Sequence, residues 1–369
     1  MIVHRFDDFA AFRAAIGEKP AKQTSDHGTF FQITDWFELL AQHGLPAGTP
    51  LQWLLVTHDG SLVLGLPLIQ QPGRLTSLSN FYTPLYAPLL LHDGLTASDW
   101  PIDSLPARAL SATARFLRHH KPGPAVIQLQ PLDTAGAFYP AMRSALTIAG
   151  YAVDHYFCFG NWSLPCTGLS FADYFAQRPS ALQNTVHRAR KKLDRAGPWT
   201  VDIHTQSGEL LDAAISAFET IYQRSWKPAE AFPDFVRRLC VLAAQKSKLR
   251  LGVLSLNGVA IASQIWLVDQ GKAYIFKLAY DLDAAHFSPG SLLTATLMEH
   301  VLDFDAVDEI DYLSGDDAYK QDWMSHRRER HGLIAFDLAM PRGIFAAARH
   351  YGGKKLRAWR ASRTACPAT

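Results

Sequence analysis

The chain has 369 residues, 48% of them apolar, and a formal net charge of +2 at neutral pH. That length and composition predict a soluble globular protein of two domains, each large enough to bury a core. The small net charge does not by itself predict nucleic-acid binding, and no window is apolar for long enough to cross a bilayer.

Charged residues and scattered cysteines exclude further classes of protein. Asp7, Asp8 and Arg13 interrupt the first apolar stretch, so we expect neither a signal peptide nor a membrane anchor, and we expect a cytoplasmic location. The four cysteines lack the close pairing of a zinc or redox motif, and no helix-spaced histidine pair is backed by a glutamate. We therefore expect no metal site.

The first half of the chain predicts a β-hairpin followed by a helix crossover. Apolar runs at residues 51–57 and 61–69 flank His58-Asp59-Gly60, which contains an Asp-Gly turn signal. The predicted elements that follow are a loop at residues 71–74, an extended segment at 81–91, a helix at 106–119, a strand at 125–130, and, after a helix-like segment, a last strand near 155–162.

The second half repeats this order. Two helices come first, at residues 178–197, which are polar almost all round, and at 208–226, which are amphipathic. A hairpin at residues 249–268 then turns at Asn257-Gly258. The remaining predicted elements are a strand at 272–280, a helix at 289–304, a strand at 309–313 and a last strand near 333–340.

A repeat of this length indicates two tandem domains of one fold rather than a solenoid. Antiparallel hairpins combined with a helix crossover predict an α+β fold in which each domain has a mixed, mostly antiparallel sheet flanked by helices. The predicted domains are residues 1–165, residues 166–341 and a basic C-terminal helix or tail at residues 342–369.

The segment SPGSLL begins the predicted helix at residues 289–304. Ser288 suits an N-cap, Pro289 suits the first turn, and Gly290 with Ser291 leaves the backbone N–H groups uncovered. Such a helix start after a strand can bind a phosphate or pyrophosphate through free amides and the helix dipole, while Leu292 enters the core. The alternative is an ordinary capped helix, which capping chemistry alone favours.

The segment IDYLSGDDAYKQDW, residues 310–323, places polar residues at the carboxyl end of a strand, where ligands often bind. Asp316 or Asp317 can accept a proton from an amine, Tyr319 can donate to a leaving group, and Lys320 can neutralise a phosphate or carboxylate. Taken singly, these residues are better explained as helix caps and a solvated lysine. Together with the helix start at Pro289, they indicate a site.

Two segments concentrate positive charge. The first segment, at residues 187–195, can contact RNA or an anionic envelope substrate. It lacks the interleaved aromatic residues that stack on bases, which favours a solvated helix face. The second, at residues 349–360, includes Tyr351 and Trp359, and phosphate docking and an amphipathic helix both stay open for it. The basic residues of the first segment are His187, Arg188, Arg190, Lys191, Lys192 and Arg195.

No serine-nucleophile elbow, Rossmann glycine fingerprint or Walker loop is present, which argues against a covalent intermediate. Instead, residues 180–340 resemble the acyl-CoA N-acyltransferase (GNAT) superfamily. More narrowly, they are similar to a tandem-domain bacterial branch described as CelD-like, which is related in fold to the Fem aminoacyl transferases. The N-terminal half resembles it only as a degenerate repeat. The residues that carry the resemblance are Arg188, Arg190, Ser288, Pro289, Gly290, Gly315, Asp316, Tyr319, Lys320 and Trp323.

The resemblance implies an N-acyltransferase that uses acyl-CoA and no metal. An amine of a small or envelope-related acceptor, such as an amino sugar or amino acid, attacks the thioester directly. The pyrophosphate of the carrier is expected at Ser288, Pro289, Gly290, Ser291 and Leu292. The expected proton acceptors are Asp316, then Asp281, then His286, with Tyr319 as donor and Lys320 as electrostatic partner. The expected acceptor contacts are Asp311, Gly315, Asp317, Trp323, Tyr280 and Arg188.

One departure from the family pattern raises two competing hypotheses. Most superfamily members have a basic residue or glutamine and two glycines in the pyrophosphate loop, whereas residues 285–290 are AHFSPG, with one glycine. A Fem-like transferase that takes its donor from charged tRNA suits the basic segments, although we find no long helical-hairpin arm. A catalytically silent binding protein of a biosynthetic cluster is the other hypothesis.

Overall fold

A computed structural model describes residues 1–17, 29–92, 95, 100–120 and 123–364, with side chains as far as residue 356. The side chain of Trp359 therefore lies outside the described residues. The chain divides into two compact units, of which unit 1 comprises Met1–Ala41, Leu45–Cys158 and Arg330–Thr369. Unit 2 comprises Gln42–Gly44 and Phe159–Glu329. The predicted domain limits at residues 165 and 341 stay predictions.

Helices lie between single strands and groups of strands along the described residues. Up to residue 165 the elements are β1 (Ile2–Phe6), α1 (Phe9–Ile16), α2 (Thr34–His43), β2 (Leu51–His58), β3 (Ser61–Gln71), β4 (Arg74–Ser77), β5 (Leu89–Leu90), α3 (Leu105–His119), β6 (Val126–Asp133), α4 (Phe138–Ile148) and β7 (Ala152–Pro165). The remaining elements are α5 (Phe171–Ala176), α6 (Ser180–Ala196), β8 (Trp199–His204), α7 (Glu209–Gln223), α8 (Pro233–Gln245), β9 (Leu249–Leu256), β10 (Val259–Asp269), β11 (Lys272–Tyr280), α9 (Pro289–Asp303), β12 (Glu309–Asp311), α10 (Lys320–Trp323), β13 (His326–Phe336) and α11 (Pro341–Thr364). A 3-10 helix, Leu282–Phe287, joins β11 to α9.

The sheets of the two units follow one plan. In unit 1 the strand order is β1-β2-β3-β4-β6, and residues 330–336 of β13 pair with β6. In unit 2 the order is β12-β11-β10-β9-β8, and residues 163–165 of β7 pair with β12. One neighbouring pair in each unit is parallel, β4 with β6 and β11 with β12, while the other paired strands run antiparallel. The expected repeat of a mixed, mostly antiparallel sheet flanked by helices is confirmed.

Both predicted hairpins form, and their turns explain why. Asp59 and Gly60 have φ values of 50° and 78°, and Asn257 and Gly258 have φ values of 52° and 77°. Two consecutive residues with positive φ match the right-handed twist of the flanking strands, and Asp-Gly and Asn-Gly adopt this geometry at low cost.

One local expectation is wrong. The predicted loop at residues 71–74 contains the turn between β3 and the short strand β4, and β4 is the counterpart of β11. Within the predicted extended segment at residues 81–91, only Leu89–Leu90 form a strand. A four-residue strand behind a Pro-Gly turn is too short to show alternation, whereas the tyrosines of the longer segment are buried without joining the sheet.

The core of unit 2 fixes α9 in place. This helix packs against α6 and against β9, β10 and β11. Leu293 and Leu297 lie so close to Gly252 that a Cβ atom there would come within 3.1 and 3.0 Å of their methyl groups. In α6, a stripe of four buried residues replaces the polar surround expected from the sequence: Leu182, Val186, Ala189 and Leu193. Burial of both helices against one core makes the start of α9 a rigid position.

Candidate active site

Two neighbouring strands of unit 2 part from each other. β11 and β12 pair in parallel from Lys272 opposite Glu309 to Tyr274 opposite Asp311. β12 ends there, whereas β11 continues to Tyr280. The strand ends therefore leave an opening, and the residues that follow each strand can line it.

α9 begins after β11 with a sharply turned backbone. Ser288 occupies the N-cap position and has φ of 54° and ψ of 45°, in the left-handed region, and its side chain makes no capping hydrogen bond. Pro289 follows in the first turn, which contains no acidic residue. Because the hydroxyl of Ser288 does not cap the helix and Pro289 has no N–H, the backbone N–H groups of Gly290 and Ser291 are available to an anion.

A buried network holds the first turn of α9 against β10. Nε2 of Gln264 donates to the carbonyl oxygen of Gly290 at 3.1 Å and to Oγ1 of Thr294 at 2.8 Å. Nε1 of Trp266 donates to Oε1 of Gln264 at 2.9 Å. These buried polar groups satisfy one another, so the backbone at Gly290 is held without a ligand.

Gly290 lies against an aromatic side chain. A Cβ atom at Gly290 would be 3.0 Å from Cδ1 of Tyr280, the last residue of β11. The ring of Tyr280 in turn contacts the ring of Trp226, with their centroids 4.6 Å apart. Tyr280 thus links the start of α9 to the segment that follows α7.

Lys320 organises the loop after β12. Its side chain is 5% exposed, and Nζ donates to the carbonyl oxygens of Ser314 at 2.7 Å and Gly315 at 3.2 Å. Asp317 lies 3.3 Å from the same Nζ. Burial lowers the pKa of Lys320, and the charge of Asp317 opposes that shift. The ammonium group therefore stabilises the conformation of the loop. Any electrostatic effect of Lys320 on a substrate acts without direct contact.

We expect Lys320→Met to destabilise the protein by about 2–3 kcal/mol, because the partly buried carbonyl oxygens of Ser314 and Gly315 lose their donor. Urea unfolding measures this change. Lys355→Met, at an exposed lysine of α11, is the matched control and should stay within about 0.5 kcal/mol of the parent. Equal stability of the two variants would contradict a structural role for Lys320.

Tyr319 places a partly buried phenol on this loop. It is 45% exposed, and its ring meets the ring of Tyr312 edge-on, with centroids 5.9 Å apart. Partial burial of the hydroxyl and then the charge of Asp317 raise the pKa of Tyr319 to about 12. Tyr319 is therefore protonated at neutral pH and can donate a proton or a hydrogen bond.

Asp316 forms an ion pair with an arginine. Arg327 donates from Nη2 to Oδ2 at 2.6 Å and from Nε to both carboxylate oxygens at 3.0 Å. Nε1 of Trp162 donates to Oδ1 at 2.8 Å. These hydrogen bonds, chiefly those of Arg327, lower the pKa of Asp316. A carboxylate held in this way is a weak base.

Comparison with known proteins adds a family to this geometry. Residues 180–321 match the family model described as the acetyltransferase (GNAT) domain. They contain α6 to β12, the start of α9 and the loop with Tyr319 and Lys320.

Solved structures support the fold over a greater length. The structure of FemX has 12% identity and a TM-score of 0.55, and the match covers 91% of this chain and 97% of FemX. A conserved protein of unknown function from Bacteroides thetaiotaomicron has 10% identity and a TM-score of 0.54, with 91% of this chain and 100% of that chain covered. At these identities the likeness shows the fold alone. No curated protein has a matching sequence.

Asp311, within the matched residues, belongs to a buried ionic network. Nη2 of Arg328 donates to Oδ2 of Asp311 at 2.5 Å and to Oε1 of Glu309 at 2.7 Å. Asn161 donates to the other oxygen of Asp311 at 2.6 Å, and the backbone N–H of Leu313 does so at 2.7 Å. Asp311 therefore fixes the turn after β12, and the structure does not present it as a substrate contact.

We expect Arg328→Met to cost about 3–5 kcal/mol at neutral pH, because Asp311 stays buried without its cation. Burial alone would raise the pKa of Glu309, but the charge of Arg328 lowers it below its ordinary value of 4.5. A lowered pKa stabilises the fold above 4.5, and this contribution is lost as the pH falls through the folded-state pKa. Unfolding measured against pH should therefore show the gap between parent and variant narrowing in acid.

Two predicted proton acceptors follow β11 and have structural partners. Oδ1 of Asp281 accepts from the backbone N–H of Asp283 at 3.0 Å and caps the 3-10 helix, while Oδ2 lies 3.4 Å from Nη1 of Arg224. His286 is exposed, and its Nδ1 lies 3.1 Å from the carbonyl oxygen of Asp283. The carbonyl oxygen of His286 accepts a hydrogen bond from Nζ of Lys192 at 2.5 Å. Both residues flank the approach to α9, and no contact joins them to Tyr319 within the described part of the chain.

The other predicted contacts differ in exposure. Trp323 is buried, and its carbonyl oxygen accepts from the hydroxyl of Tyr174 at 2.8 Å. Arg188 is exposed on α6, where Nε donates to the carbonyl oxygen of Asn184 at 3.2 Å. Leu292 is fully buried, so only its backbone can meet a ligand. The structure brings together Gly315, Asp317, Tyr319 and Lys320 on one loop, and Tyr280 with Gly290 beside α9.

The segment after α7 contributes residues that sequence analysis missed. Lys227 lies near Trp226 and Tyr222, with Nζ 5.7 and 5.9 Å from their ring centroids. Lys277 of β11 lies 5.0 Å from the ring of Tyr222 and pairs with Glu230 at 2.5 Å. Their proximity depends on how α7 packs on β11, which no local pattern reveals.

Membrane-spanning helices and metal-binding clusters are both absent from the described residues. No helix there is long and apolar enough to cross a membrane. No group of three or more His, Cys, Asp or Glu side chains in that part of the chain could hold a metal ion.

Proposed function

We propose that this protein is an acyl-CoA-dependent N-acyltransferase that transfers an acetyl or longer acyl group to an amine. The observation that carries the proposal is the start of α9 in a segment that matches the GNAT acetyltransferase domain. Its first N–H groups are uncapped, Gly290 has no Cβ to cover them, and β11 and β12 part in front of the loop that bears Tyr319.

The pyrophosphate of the carrier would lie at the first turn of α9, at Ser288 to Leu292, held by backbone amides and the helix dipole. The basic residues of α6 add positive charge near this turn, because Lys192 reaches the 3-10 helix that precedes it. Under the proposal, a single glycine in this loop is sufficient for pyrophosphate binding. Gly290 is the position at which a side chain would contact the ring of Tyr280.

The reaction would need no covalent intermediate. The amine nitrogen attacks the thioester carbon, the carbon–sulfur bond breaks, and the amide and a thiolate are formed. Tyr319 would donate a proton to the departing thiolate, as its raised pKa allows. Asp317, exposed on the same loop, would accept the proton that the amine loses, in preference to Asp316, which Arg327 binds.

Calorimetric titration with coenzyme A, acetyl-CoA and a longer acyl-CoA tests the proposal. We expect binding of the thioesters, followed by acylation of amines added to the complex. The chain-length preference would then identify the donor. If no acyl thioester bound, the proposal would be wrong.

A second candidate is a Fem-like transfer from charged tRNA, and the basic face of α6 is the observation that favours it. Arg188, Lys191, Lys192 and Arg195 recur at helical spacing and are exposed. Activity that requires aminoacyl-tRNA and does not respond to coenzyme A would establish this candidate instead. A protein that bound neither carrier and copurified with a partner would be a silent member of a biosynthetic cluster.

A further inference from the structure

Three lysines interact electrostatically near the loop that bears Tyr319. Lys227 follows α7, Lys277 belongs to β11 and Lys320 begins α10. The charges of Lys277 and Lys320 both act on Lys227, and only the carboxylates Asp317 and Glu230 oppose them. The cluster therefore has more cations than anions.

Two of the three ammonium groups are already neutralised or hydrogen-bonded. Lys277 pairs with Glu230 at 2.5 Å, and their side chains are only 12% and 13% exposed. Lys320 donates to two carbonyl oxygens and lies 3.3 Å from Asp317. The two carboxylates are thus both engaged by these lysines.

Lys227 is left as the uncompensated cation. Its side chain is half-buried between aromatic rings, and within the described residues no hydrogen-bond or ion-pair partner meets its Nζ atom. Burial, followed by the charges of Lys277 and Lys320, lowers the pKa of Lys227 to about 8. A cation in this state is destabilised in the free protein and is stabilised when an anion binds.

Lys227 also lies on the correct side of the site to meet an acceptor. Trp226 precedes it and contacts Tyr280, and Tyr280 closes on Gly290, where the carrier is proposed to bind. Asp317, whose charge reaches Lys227, lies two residues before Tyr319. Lys227 is therefore close to both the carrier end and the proton-donor end of the opening.

We infer that the amine acceptor carries an anionic group, a carboxylate or a phosphate, and that Lys227 binds this group. The inference rests on the proposed acyltransferase function only in that the bound molecule is an acceptor. The anion site itself can be tested without any carrier. An amino acid has such a group beside its amine, whereas an unmodified hexosamine has none. The structure thereby favours amino acids and phosphorylated amines over neutral amino sugars.

Trace labelling of lysines with acetic anhydride, read by mass spectrometry, tests the anion site directly. The probes are product analogues without a free amine: N-acetylglycine, its neutral amide, and N-acetylaminomethylphosphonate. Lys355 is the exposed internal reference. At pH 8 we expect an anion to slow labelling of Lys227 about fivefold, because a pKa rise of about one unit cuts the neutral fraction from about a half to about a tenth.

Each outcome of the labelling experiment decides the matter. Protection by N-acetylglycine but not by its amide supports a carboxylate, and stronger protection by the phosphonate supports a phosphate. Equal protection by the neutral amide, or no protection by either anion, overturns the inference. Since coenzyme A is absent, failure here leaves the carrier titration unaffected, and failure of that titration leaves this result standing.

A variant separates anion binding from acid-base catalysis. Lys227→Met should raise the melting temperature at pH 7 and raise it less at pH 10. In the parent, the destabilising charge of Lys227 is lost above pH 8, so its removal by mutation then gains less. In turnover it should raise KM for an amino acid much more than KM for a neutral amine. A comparable loss of kcat for both amines would make Lys227 a base and overturn the inference.

Discussion

Gly290→Leu is expected to weaken binding of acetyl-CoA at least about 100-fold, which corresponds to about 2.8 kcal/mol. A Cβ atom at this position already comes within 3.0 Å of the Tyr280 ring. A leucine must therefore either displace Tyr280 or turn over the first amides of α9, and both movements close the space proposed for the pyrophosphate. Calorimetric titration of the folded variant measures the loss.

Gly352→Leu is the matched control for Gly290→Leu. Gly352 lies within α11, and a Cβ atom there would meet nothing within 4 Å. We expect this variant to bind acetyl-CoA like the parent. Gly290→Ala should give an intermediate loss, because Tyr280 has to move by only a few tenths of an ångström. Full affinity in both Gly290 variants would move the carrier away from α9.

Tyr319→Phe is expected to lower kcat by roughly 100-fold or more, the usual range for loss of a general acid. The phenol is protonated at neutral pH, as an ordinary tyrosine is, and its pKa is raised further to about 12. Its removal should slow departure of the thiolate while leaving the ring contact with Tyr312 intact. Steady-state turnover at saturating acyl-CoA and amine measures the effect, and KM for the carrier should change little.

Two comparisons guard the interpretation of Tyr319→Phe. Tyr351→Phe, at a partly exposed tyrosine of α11, should retain full turnover. A thiol of lower pKa as leaving group should recover part of the lost rate in Tyr319→Phe, since a stable thiolate needs less help from a proton donor. Unchanged kcat for natural acyl-CoA would exclude Tyr319 as the donor.

Local chemistry made several elements predictable. The Asp59-Gly60 and Asn257-Gly258 turns carry their own backbone preference, so both hairpins were predicted from a few residues. The same holds for α9, where Pro289 begins the helix as expected. β4 escaped prediction because a strand of four residues shows too little alternation to be distinguished from its turn.

The candidate site was predictable only where its residues are neighbours in sequence. Gly315, Asp317, Tyr319 and Lys320 lie on one loop, and the polar run after an apolar strand indicated it. Lys227 and Lys277 are separated by fifty positions, and packing alone makes them a pair. The sequence also contained no indication of the residues that lower the pKa of Asp316. Arg327 is recognised as its ion-pair partner only in the three-dimensional structure.

The path of the chain sets an order for folding during synthesis. Unit 1 ends its first segment at Cys158 and receives its last strand only from Arg330 onward, after all of unit 2 has been made. While the ribosome adds residues 159–329, β6 lacks its partner in β13, so the nascent protein exposes an unpaired strand edge. Unit 2 has no such dependence on later residues. Unit 2, which bears the proposed chemistry, can therefore fold first, and unit 1 must wait until β13 has been made.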